Sequence, residues 1–256
     1  MPRMTEPQPT NHENQPMIVD EVVVLDLDRT LLNSSAVTQL VLESMALHGV
    51  SEDRIQEAIA YVEAQTGNSF HLFDYIERQF SIATLDEIVG ELMQNEPLLH
   101  GRKNELLCAG ADTLVYALEA QGTPAMLLTY GDQNYQSFKI DLFRKLIDRT
   151  NTQLPGIVTD VANKAMWVGE NWFSRPDGLG EVPVKILKQI VLARMVSVVD
   201  DKISNLESTD ERVVGVLVDN RTAITEGVLS TLELAEAVAG GMHIFEFADE
   251  REERVS

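Results

Sequence analysis

The stretch VVVLDLDRTLLNS, residues 22–34, decides the fold. Its first four residues, Val22 to Leu25, form an apolar and mostly β-branched run of the kind found in a strand covered on both faces. The run stops abruptly at Asp26 and Asp28. Side chains alternate along an extended backbone, so Asp26 and Asp28 point to one side of the strand end while Leu27 points to the other. Two carboxylates closing a buried strand need a counter-charge. The arrangement suits a hard cation and an anionic substrate.

Working outward, residues 36–66 carry apolar positions at helical spacing (Val37, Leu40, Val41, Met45, then Ile55, Ile59, Val62), and Gly49 divides them into two expected helices. Further helical patterns cover 70–80 and 84–94, the second with Thr84 as its expected N-cap. Phe70, Phe73, Tyr75 and Phe80 are expected in the core of this helical insert. So long an insert exceeds a normal crossover, and residues 36–100 are expected to form a helical cap over an active site. From Gly110 the pattern alternates. It has a helix over 111–121, a strand over 124–131, a helix over 133–149, and strands over 156–161, 195–201 and 213–219. A helix over 224–239 and an edge strand in HIFEF, residues 243–247, complete it. The fold class is therefore α/β, a Rossmann-like three-layer parallel sheet with an inserted helical cap. The core comprises 19–35 and 101–248, residues 1–18 are expected to be a disordered tail, and 249–256 a flexible acidic one. In such sheets ligands bind at the carboxyl ends of the strands.

A formal net charge of −21, from 20 basic and 41 acidic residues, repels nucleic acid and anionic membranes. An anionic substrate would be repelled too unless a cation reversed the local potential, so the balance indirectly favours a metal. No apolar run is long enough to span a bilayer. The first 18 residues have no apolar segment of the secretory kind. The single cysteine, Cys108, lacks a neighbouring His and is expected to be a buried small hydrophobe; it fits a reducing cytoplasm. His12, His48, His71, His100 and His243 show no metal spacing. Oligomeric state is not legible.

Three strand ends are polar in a complementary order: Asp26 and Asp28, then Thr129, then Asp200 with Asp201. This order resembles the haloacid dehalogenase superfamily of phosphohydrolases. Its first motif, a strand followed by D-x-D-x-T, is matched by VVVLDLDRT, its second by MLLTYG, and its fourth by VSVVDDKISNL. The inserted helices stand where the family's first cap type stands. The resemblance implies that Asp26 is the nucleophile that takes up a phosphoryl group and that Asp28 is the general acid and base. Dehalogenases with this fold lack that second acid. It also implies Mg²⁺, with oxygen ligands from Asp26, the Asp28 carbonyl and the acidic pair, Asp201 being favoured over Asp200. Thr129 and Tyr130 would meet the substrate phosphate, with Gly131 allowing a tight turn. The family's third motif is a lysine, matched by Lys164 or alternatively by Lys185. Arg29 stands where the family usually has Gly, and is expected to point away from the metal and pair with a carboxylate; Tyr130 replaces a frequent Asn. The function implied is hydrolysis of a small phosphorylated metabolite through an aspartyl-phosphate. The alternatives are a degenerate binding or regulatory protein, or a receiver-like phospho-acceptor.

Overall fold

The computed structural model describes residues 16–64, 72–79, 82–183, 190–220 and 229–246. The deciding stretch opens as β1 (Met17–Leu25), so regular structure begins two residues before the expected start of the core. It is followed by α1 (Ser34–Leu47), α2 (Glu52–Ala64), α3 (Leu72–Gln79), α4 (Ile82–Gln94), α5 (Glu96–Gly101) and α6 (Lys103–Leu106). Then come α7 (Ala111–Gln121), β2 (Ala125–Tyr130), α8 (Gln133–Leu146), β3 (Gly156–Thr159), α9 (Lys164–Trp172) and β4 (Gly180–Glu181). The chain closes with β5 (Val191–Asp200), β6 (Val213–Leu217) and α10 (Thr231–Ala239).

The sheet runs β3-β2-β1-β5-β4, with β6 also pairing β5. β1 is central and parallel to both neighbours, in the register Leu25 to Leu127 and Leu25 to Val199. This is why Val22 to Leu25 are buried on both faces. β5 spends its outer edge twice, antiparallel to β4 near its start and parallel to β6 near its end. The antiparallel β4, two residues long, is too short for any periodicity in the sequence to announce. Alternation divides the strand side chains: Val23, Leu25 and Leu127 face one core with Leu114, Phe143 and Leu234, while Val22, Val24 and Met126 face a second with Val168 and Trp172. Two helical layers thus sandwich the sheet. Trp172 seats α9 on it, with Trp167 edge-on at 6.4 Å.

α1 packs on α2 and α4, with Val37, Leu40, Val41 and Met45 buried. α4 starts at Ile82, so Thr84 lies inside the helix instead of capping it. Phe73 is buried as expected and joins the insert to the core, its ring 4.8 Å from Tyr135 and 5.3 Å from Phe138 on α8. Tyr75 is buried as well, whereas Phe70 and Phe80 lie outside the described residues. The expected edge strand in HIFEF is corrected: residues 244–246 make a helical turn. The Phe245 amide there donates to the buried Glu21 carboxylate at 3.1 Å, so it has no strand partner to seek.

Candidate active site

β1 ends where its two parallel neighbours also end, so Asp26, Thr129 and Asp200 come together at one edge of the sheet. Asp26 is buried and its amide donates to the Val199 carbonyl at 2.9 Å, fixing it against the end of β5. Thr30, also buried, donates its hydroxyl to Asp26 Oδ2 at 3.3 Å. Asn33 ends the loop by capping α1, its side chain accepting from the Ala36 amide.

Lys164 is the first residue of α9, launched by the Asn163 cap. Its buried ammonium donates to Asp26 Oδ1 at 2.6 Å and also bonds Asp200 Oδ2. The rival Lys185 lies outside the described residues. Burial raises the Asp26 carboxyl to about 7, against the opposing pull of Lys164 and with help from Asp200 and Asp28. Burial would lower the Lys164 ammonium, but the two carboxylates hold it above its ordinary value.

The acidic pair divides its work. Asp200, fully buried, has both oxygens occupied: Oδ1 accepts from the Lys202 amide at 2.8 Å and Asn205 at 3.0 Å, and Oδ2 from Asn205 at 3.1 Å and Lys164. It therefore also holds the 3-10 turn at Ile203–Asn205. Asp201 is half-buried and pairs with Arg29, Nε to Oδ2, at 2.8 Å. Burial lifts its carboxyl to about 6, with Arg29 opposing. Arg29 thus has its carboxylate partner, but it turns toward the candidate ligand Asp201 and not away from it. Asp26, Asp200 and Asp201 each offer an oxygen, all within 4.8 Å of one another. An all-oxygen carboxylate set of this size fits a hard divalent cation.

Asp28 is enclosed by residues that did not stand out in the sequence. Ser34 donates to its Oδ1 at 2.6 Å, Gln136 to its Oδ2 at 3.2 Å, and Lys139 to Oδ1 at 2.6 Å as well as to Oδ2. Burial alone would raise the Asp28 carboxyl; Lys139, Ser34 and Gln136 overcome it and hold the group down at about 2. Thr129 is buried and donates to Gln136 Oε1 at 2.9 Å, so the second motif joins the same network. Tyr130 ends β2 half-buried. Gly131 follows at φ +138°, and a Cβ there would sit 3.0 Å from Gln136. One signal could have found Lys139: it lies in the buried stripe of α8 with Tyr135, Phe138 and Leu142, where a lysine is out of place. Cys108 is buried, and burial with the nearby aspartates pushes its thiol up to about 12.

A parallel sheet whose first strand ends in a D-x-D-x-T loop, followed by a helical insert and by a strand-end Asp200 that shares Lys164 with Asp26, is an architecture of the haloacid dehalogenase-like fold. Among solved structures, the chain is similar to a protein assigned as a haloacid dehalogenase-like hydrolase from Burkholderia xenovorans, with 17% identity, a TM-score of 0.52, and 85% of this chain and 95% of that one covered. It is also similar to a HAD phosphatase from Thermococcus onnurineus (14% identity, TM-score 0.47, 86% and 98% covered) and to CbbY from Rhodobacter sphaeroides (14%, 0.44, 84% and 96%). The first of these carries the fold; the other two superpose too loosely to add to it. No family model matches the chain, and no curated protein does.

Proposed function

We propose that this protein is a Mg²⁺-dependent phosphatase that hydrolyses a small phosphomonoester through an aspartyl-phosphate on Asp26. The observation that carries the reading is the Asp26 environment: a carboxylate at the central strand end, with a buried lysine at 2.6 Å and two further carboxylates beside it. A nucleophilic carboxylate splits hydrolysis into two displacements, attack on phosphorus and then release by water. Lys164 partly offsets the burial that raises the Asp26 carboxyl and would balance the charge of an arriving phosphoryl group. Asp26 and Asp201, with the Asp28 carbonyl, would hold the cation, which when bound supplies positive charge to the transferring phosphoryl oxygens. Thr129 and Tyr130 border the position for that phosphoryl group.

Asp28 is the proton-handling carboxylate of this scheme. Its contact with Lys139 opposes protonation, so a proton reaches Asp28 only as that contact loosens. The helical insert, joined to the core through Phe73, would exclude water from the site and select the leaving group. Among the described residues no helix is long and apolar enough to cross a membrane. A cytoplasmic location and a small-metabolite substrate complete the proposal.

The test compares wild type with Asp26→Asn on a generic phosphomonoester with Mg²⁺ present. Wild type should turn over and Asp26→Asn should fall by several orders of magnitude, with a phosphorylated species trapped only on wild type. Equal rates would end the proposal. Binding of phosphoesters without turnover would assign the chain to a non-catalytic role instead.

A further inference from the structure

We propose that Arg29 and the divalent cation compete for one carboxylate, Asp201, so that cation binding releases the Arg29 guanidinium into the neighbouring cleft. This rests on the reading of Asp26 and Asp201 as cation ligands. Three carboxylates converge there, and two side-chain cations already answer them. Lys164 is committed to Asp26 and Asp200, both buried, and has no other place to go. Of the pair Asp200 and Asp201, Asp201 is the one a cation could still claim beside Asp26, and its Oδ2 accepts from Arg29 Nε at 2.8 Å. A hard cation needs the same oxygen lone pairs, and a guanidinium left within contact distance of it would be repelled.

The local backbone allows the exchange without rearrangement. Arg29 adopts φ +61°, a left-handed conformation that non-glycine residues rarely take. It is pinned on both sides: its amide donates to the Leu32 carbonyl at 2.8 Å, and its carbonyl accepts from Asn220 Nδ2 at 2.7 Å. Asn220 in turn is held by Thr231, whose amide donates to Asn220 Oδ1 at 2.9 Å. The main chain is thus fixed while the side chain, 46% exposed, is free to swing. It borders a cleft of about 690 Å³ lined also by Asn33, Ser35, Ser230 and Leu232, which has room to receive it. Arg29 therefore serves as a built-in counter-ion that covers Asp201 when no metal is bound, weakening cation affinity.

Metal binding can be measured without substrate. Wild type and Arg29→Gly, which suits φ +61°, are titrated with Mn²⁺, and free Mn²⁺ is read by EPR. Arg29→Gly should bind about two- to fivefold more tightly, the size of effect expected for a partly exposed ion pair. In a second measurement the Arg29 Nε–Hε resonance of wild type is followed by ¹⁵N NMR during Mg²⁺ titration, and it should move in proportion to occupancy. Equal or weaker Mn²⁺ binding by Arg29→Gly, no Mn²⁺ binding by either protein, or an unmoved Arg29 resonance at saturation would overturn the proposal. Because neither readout uses turnover, an inactive phosphatase that passes both tests would refute the hydrolytic reading alone.

Discussion

Replacing Lys164 by Met should expose how much of this fold is held against its own charge. The Lys164 side chain is 3% exposed and lies between Asp26, 5%, and Asp200, 0%. Methionine fills similar volume, so the loss is electrostatic and not a cavity. Removing one partner from a buried ion pair costs about 3–5 kcal/mol, a large part of the 5–15 kcal/mol that holds a typical domain. For a chain of this size that is a fall in Tm of roughly 6–20 °C. The pH dependence gives the sharper test. Asp26 has a folded pKa of about 7, above the ordinary 3.8, so its protonated form favours the folded state; that contribution is fully present below pH 3.8 and is lost as pH rises through 7. Without Lys164 the folded value rises further, and the decline extends to higher pH. Thermal unfolding followed by circular dichroism, in metal-free buffer, should therefore show a larger penalty at pH 8 than at pH 5. A fall in Tm under about 2 °C at pH 8, or equal falls at both pH values, would refute the view that Lys164 neutralises buried carboxylates.

Asp28 predicts the opposite sign. Its folded pKa of about 2 lies below the ordinary 3.8, so its stabilisation of about 2 kcal/mol is present above pH 3.8 and lost as pH falls toward 2. Acid titration of unfolding free energy in Lys139→Met should be flatter than in wild type over that window. Asn220→Ala removes donors to the Arg29 and Thr30 carbonyls and an acceptor for the Thr231 amide, and should cost about 1–3 kcal/mol by urea denaturation. Gly110 sits at φ +82° with the site of a Cβ only 2.5 Å from Leu232 Cα, where α7 meets α10. Gly110→Ala should destabilise by more than about 2 kcal/mol and lower Tm accordingly, since neither backbone can yield.

Local patterns were enough to read the core. An apolar run ending in acids predicts a central buried strand because only a strand covered on both faces needs that composition, and β1 is that strand. Alternation of strands and helices predicts the parallel sheet, and so brings Asp26, Thr129 and Asp200 to one edge, since parallel strands all end on the same side. Where the expectation failed, at HIFEF, a long-range bond to Glu21 outweighed local β-propensity.

Only the tertiary structure decided who neutralises whom. A lysine's partner is set by where its helix lands on the sheet, so nothing near Lys139 in the chain announces that it clamps Asp28, more than one hundred positions earlier. Nothing near Arg29 announces its pairing with Asp201. The sequence alone determined which carboxylates would meet at the strand ends, because backbone direction and side-chain alternation are local properties. The division of charge among those carboxylates, with Lys164 on Asp26 and Asp200, Lys139 on Asp28 and Arg29 on Asp201, depends on distances between remote segments, which the packing of α8, α9 and the Asn220 loop against the sheet sets.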